Sequence, residues 1–147
     1  YSEAVFITNT VKSISKMSVR RIRPYMYFDD PPEEELKNHD FQFSFPSGHT
    51  IDAFMSATYL SYTFSKYYPD SSLKAAVIAG SYGLASTTAV LRMASGNHFL
   101  TDVAGAAAMG CTIGFLVPFC HSFAAKHSTK DLQISLSPAA AGVSIKL

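Results

Sequence analysis

Apolar residues recur at helical spacing in four separate stretches of the chain, and the breaks between them are marked by proline, glycine or acidic clusters. Val5, Phe6, Thr10, Val11, Ile14 and Met17 repeat at helical intervals and predict a first helix over residues 3–18. It stops before Pro24, because the residue before a proline is pushed out of the helical region and proline has no N–H to donate. Residues 25–45 are irregular. They hold Asp29-Asp30-Pro31-Pro32-Glu33-Glu34-Glu35 and then the alternation Phe41-Gln42-Phe43-Ser44-Phe45, a length of loop that is often functional. A second helix is predicted over residues 50–67, halted at Pro69-Asp70-Ser71-Ser72, where a start signal for the third adjoins the stop. The third runs over 72–93 and the fourth over 98–123, parted by the turn residues Ser95-Gly96-Asn97. The expected fold is all-α, an antiparallel bundle of four main helices in residues 1–127. A tail, 128–147, carries two short alternations around Pro138 and Gly142 that suit either a small hairpin or an irregular end.

A chain of 147 residues is one domain, and 48% apolar against 16% charged residues excludes disorder. A buried bundle and a membrane protein both fit. The net charge of +1, without a run of basic residues, argues against a nucleic-acid partner and leaves room only for a small, local anion site. Residues 75–91 and 103–125 are uncharged if His121 is neutral, lengths near the roughly 20 residues that cross a bilayer. The earlier helices, by contrast, carry Lys12, Lys16, Asp52 and Lys66. Tyr25, Tyr27, Phe28, Tyr67 and Tyr68 sit where interfacial anchors would, and Lys66, Lys74, Lys126 and Lys130 at the far end place that end in the cytoplasm. A membrane-associated enzyme with an outward-facing site is therefore expected over a soluble one. Gly110 and Gly114 have the small-xxx-small spacing of close helix packing, here expected within the chain rather than at a dimer face. Cys111 and Cys120 lie on one predicted helix roughly 13 Å apart along its axis, beyond disulfide reach.

Alternating helix directions bring four chemically distinctive ends to one side. Lys16 and Arg23 follow the first helix, Pro46-Ser47-Gly48-His49 opens the second, Arg92 closes the third and His98 opens the fourth. Ser47 is a natural N-cap and Gly48 admits close backbone approach, so the free amides of that first turn can cradle a phosphate. His98 and Asp102, at i and i+4, would share a helix face, the carboxylate accepting from one imidazole nitrogen and leaving the other as a nucleophile. His49 stands at another helix end, placed to protonate a departing oxygen. Lys16, Arg23 and Arg92 supply charge for the equatorial oxygens of a phosphoryl transition state. Zinc on His49, His98 and Asp102 is disfavoured by those cations and by the lack of a His-x3-His pair. His39, His121 and His127 read as solvated. Arg20 and Arg21 read as a basic helix end favoured by its dipole, ahead of a role in steering an anion. Phe41, Phe43 and Phe45 form either a lip for an acyl chain or a packing surface for their loop.

Lys16-x6-Arg23-Pro24, Pro46-Ser47-Gly48-His49 and Arg92-x5-His98-x3-Asp102 together resemble the three-part signature of the type 2 phosphatidic acid phosphatase superfamily. That group includes membrane lipid phosphatases, soluble bacterial acid phosphatases and vanadium haloperoxidases. The resemblance implies His98 as the nucleophile of a phosphohistidine route, Asp102 as its orienting partner and His49 as general acid. Lys16, Arg23, Ser47, Gly48 and Arg92 would hold the phosphate, with no metal and no other cofactor. It also implies two further helices before Tyr1. Leu91 stands where the family usually has Ser, at the expense of one phosphate hydrogen bond. The expected activity is hydrolysis of a phosphomonoester or diphosphate on a lipid. A soluble acid phosphatase, a haloperoxidase holding vanadate and a non-catalytic phosphate-binding module are the alternatives.

Overall fold

The structure, a computed structural model, describes residues 1–28, 37, 40–128, 133–137 and 140–144. Its four main helices are α1 (Ser2–Val19), α2 (Gly48–Tyr67), α3 (Lys74–Ala94) and α4 (Leu100–Ser128). Each lies within a few residues of its predicted range, although α4 begins two residues later and runs on through Pro118. A backbone hairpin, β1 (Gln133–Ser137) antiparallel to β2 (Ala140–Ser144), follows. The acidic run from Asp29 to Glu35, His39, the His127 side chain and Lys130 fall outside the described residues.

Helix α2 is central, packing most extensively on α4 and α3, while α1 lies against α2 and α4. What α2 buries is mostly small or polar: Thr50, Ala57, Thr58 and Ser61, with Ile51 and Met55 the large members. Facing it are Ala85 and Ala89 of α3 and Ala106 of α4. The large side chains point the other way, with Phe6, Ile14, Leu84, Val90, Phe115, Phe119 and Phe123 all exposed. Small residues inside and bulky apolar residues outside invert the arrangement of a water-soluble bundle and suit helices that meet through close backbone contact in an apolar medium. Only α4, over Leu100–Lys126, is long and apolar enough to cross a membrane by length and composition among the described residues.

Gly110 and Gly114 make the closest approach. A β-carbon on Gly110 would lie 2.5 Å from the Ile51 carbonyl oxygen, and one on Gly114 2.4 Å from that of Met55. The glycine pair is thus an internal seam between α2 and α4, as its spacing suggested. Gly114→Ala is expected to lower the unfolding free energy by about 3 kcal/mol, because the obstacle is backbone that cannot step aside. Gly80→Ala, where a β-carbon meets nothing within 4 Å, should stabilise the protein by about 0.5–1 kcal/mol. Denaturant unfolding of the two variants checks both, and equal midpoints would contradict the seam. The free Cys111 and Cys120 agree with their spacing.

Loops on one side are tied by backbone bonds across the chain. Arg23 N–H donates to Phe41 O at 2.8 Å, Ser44 N–H to Arg21 O at 2.8 Å and Tyr25 N–H to Gly96 O at 3.0 Å. The exit of α1, the approach to α2 and the α3–α4 turn are therefore one layer. Phe45 packs on Gly105 of α4, which favours the packing reading for that ring.

Candidate active site

A cavity of about 630 Å³ opens in this layer, lined by Lys12, Lys16, Arg23, Asp40, Gly48, His49, Asp52, Arg92, Asn97 and His98. Six of the eight residues singled out from the sequence meet there. Ser47 and Asp102 are fully buried behind it, and Leu91 is 61% exposed and lies outside the lining. Helix direction explains the convergence. Helices α2 and α4 start at the cavity, α1 and α3 end at it, and the N-terminal partial positive charge of α2 adds to the side-chain cations. The N–H groups of Gly48, His49 and Thr50 precede the helical ladder, whose first bond is Ile51 N–H to Ser47 O at 3.0 Å.

Arg23 is buried, donating from Nη1 to Asn97 Oδ1 at 3.1 Å and from Nη2 to Asp40 Oδ2 at 2.5 Å. Lys12 pairs with Asp52 at 3.2 Å. The buried Nε of Arg92 has no hydrogen-bond partner among the described residues, a donor whose satisfaction an anion in the cavity would supply. Burial lowers the Lys16 ammonium pKa; the Asp40 carboxylate works against this, while Arg23 and Lys12 add to it. Such a crowd of cations is stable only with counter-charge, and favours an oxyanion as guest.

His98 departs from expectation in one respect. Because α4 starts at Leu100, His98 precedes the helix, and its ring and Asp102 do not stack on one helical face. Asp102 instead occupies the third helical position, where its Oδ2 accepts the Phe99 N–H at 2.9 Å, one half of a capping box. Its Oδ1 accepts from Arg21 Nη1 at 2.7 Å and its Oδ2 also from Ser44 Oγ at 2.5 Å. No direct bond to His98 is formed. The imidazole Nδ1 lies 2.7 Å from the main-chain oxygen of Ser44. A carbonyl oxygen only accepts, so Nδ1 carries the proton and Nε2 of the neutral ring keeps its lone pair. Burial pushes the His98 pKa down from 6.5 to about 4. The Ser44 bond raises it, Arg23 and Arg92 lower it further, and Asp102 raises it slightly. Ser47 is corrected likewise. It holds the N-cap position without a side-chain cap bond, its hydroxyl paired with Thr50 Oγ1 at 2.9 Å.

Arg21 is tied into the backing of the site. Besides Asp102 it donates to Thr101 Oγ1 at 2.5 Å and stacks 4.2 Å over the Phe99 ring. Arg21→Leu is expected to cost about 1–2 kcal/mol of stability, since it strips one donor from a buried carboxylate but is itself partly solvated; chemical unfolding measures it. His121 is exposed but pairs with Glu3 at 2.5 Å. Sequence reasoning overlooked Lys12, Asp40, Asp52 and Asn97 in the cavity and Ser44 behind it. Lys12 lies four residues before Lys16 and Asp52 three after His49, offsets that place helical neighbours on the same wall.

A family model described as the PAP2 superfamily matches residues 1–126. The chain is similar to "Phosphatidylglycerophosphatase B" of Bacillus subtilis (strain 168), with 36% identity over 83 residues, 54% of this chain. It spans 39% of that relative's length. No solved structure matches it significantly.

Proposed function

The chain belongs to the PAP2 superfamily, and we propose that it is a phosphatase that removes phosphate from a lipid monoester or diphosphate without a metal, through a phosphohistidine. The observation that carries this reading is the single cavity holding two imidazoles, Lys16, Arg23 and Arg92, with the Arg92 Nε unpartnered among the described residues. A phosphate resting on Arg23, Arg92, Lys16 and the amides of Gly48 and His49 would have its equatorial oxygens held by pre-aimed donors. His98 Nε2 attacks phosphorus, forming an N–P bond as the ester P–O bond breaks, and His49 delivers a proton to the departing oxygen. Water, giving its proton to His49, then attacks phosphorus. The N–P electron pair returns to Nε2 and inorganic phosphate leaves.

The inverted packing of the helices and the apolar length of α4 support a membrane location, with a lipid as substrate. Lys66, Lys74 and Lys126 at the opposite end favour a cytoplasmic position for that end and an extracytoplasmic site. The phosphatidylglycerophosphatase relative makes phosphatidylglycerophosphate the first ester to try.

Phosphate release from phosphatidylglycerophosphate, phosphatidate, a polyprenyl diphosphate and a soluble alkyl phosphate tests the reading, with EDTA or vanadate added in parallel. The expected result is preference for a lipid ester, indifference to EDTA and inhibition by vanadate. A strict divalent-metal requirement would overturn the mechanism, and preference for the soluble ester would overturn the substrate class.

A further inference from the structure

We propose that Ser44 is a positioning residue of this site: its carbonyl sets the tautomer and angle of the His98 ring, and its hydroxyl fastens that carbonyl to Asp102. The carboxylate then acts on the ring through Ser44 rather than by touching it. The inference rests on His98 being the nucleophile, as read above.

Every polar group of Ser44 is engaged, and the residue is fully buried. Its N–H donates to Arg21 O at 2.8 Å, its Oγ to Asp102 Oδ2 at 2.5 Å, and its oxygen receives the His98 Nδ1–H at 2.7 Å. Asp102, also fully buried, spends Oδ1 on Arg21 and Oδ2 on Ser44 and Phe99. Ser44 therefore bridges the start of α4 and the loop leaving α1, and presents its carbonyl to the ring from that clamp. The geometry has a chemical consequence. With the proton held on Nδ1, the lone pair is confined to Nε2. When that nitrogen bonds phosphorus the ring becomes cationic, and the Nδ1–H strengthens its bond to a carbonyl already braced by an anion. Removing the hydroxyl leaves the carbonyl in place but unfastened, so the ring gains freedom to turn away from the in-line direction.

The test uses the full chain in detergent micelles with short-chain phosphatidate as the probe. Ser44→Ala is expected to lower kcat by about 10- to 100-fold with KM within about twofold, because alignment and not substrate affinity is lost. The rate of phosphoenzyme formation in a rapid quench should fall in parallel. Asp102→Asn made in the Ser44→Ala background should cost little more, because both residues act through one path. Ser44→Cys, close in size with a weaker donor, should fall between, and it decides the question if Ser44→Ala loses its helical circular dichroism. A kcat for Ser44→Ala within twofold of the wild type, or losses that multiply in the double variant, would overturn the proposal. Retained turnover in His98→Ala would instead remove the nucleophile reading, and this inference with it.

Discussion

Replacing His98 by Ala is expected to lower kcat by at least about 10³-fold while the helices stay folded, because its Nδ1 is tied to the Ser44 main-chain oxygen and its Nε2 keeps the lone pair that faces the cavity. The phosphoenzyme trapped by acid-free quench in the wild type should be absent from the variant. An unchanged rate would refute the assignment. The low pKa of His98 adds a second readout. The neutral ring attacks, and burial holds the group neutral down to about 4, so the contribution of His98 to the acidic limb of kcat/KM should fall near 4 and not near 6.5. Stability follows the same sign. Between those values the unfolded chain binds a proton that the folded chain refuses, so the stability linked to this ring is complete above 6.5 and lost as pH falls through about 4. An acidic limb near 6.5 that vanishes in no other variant would mean a more exposed nucleophile.

His49→Ala should lower kcat/KM, which reports phosphoryl transfer to the enzyme and not the later hydrolysis, by about 10²–10⁴-fold on an alkyl or lipid ester, the usual worth of a positioned proton donor. The loss must shrink on p-nitrophenyl phosphate, whose phenolate departs without a proton. This contrast separates a general acid from a residue that merely shapes the phosphate pocket, which would harm both substrates alike. His49 is exposed in the cavity lining, on the second residue of α2, so its removal leaves the buried packing intact. Equal losses on both esters would take the proton-donor role away from it.

The four helices and the end at which the chemistry gathers were legible because apolar spacing, Pro24, Pro69 and the Ser95-Gly96-Asn97 turn are local signals. The contact between His98 and Asp102 was misjudged for a local reason too. An i, i+4 pair faces one way only inside a helix, and α4 begins at Leu100, after the histidine. Ser44 and Arg21 were beyond reach of periodicity, since their bonds to Asp102 span 58 and 81 residues and no spacing rule connects them. Asp40 was hidden similarly: it reaches Arg23 across 17 residues, from the far side of the acidic stretch. Ser47 illustrates the opposite error, a good N-cap residue whose hydroxyl found a nearer partner in Thr50.

The seam of Gly110 and Gly114 makes α2 and α4 a single stiff jaw. The backbone positions of its two imidazoles, at and just before the leading ends of those helices, are thereby set by main chain resting on main chain. Helix α1 is the opposite kind of element. It buries only Ala4 and Thr8, both in its first half, ahead of Lys12 and Lys16. A change in headgroup preference is accordingly expected from side chains on the α1 wall of the cavity, such as Lys12, which can be exchanged without touching that seam.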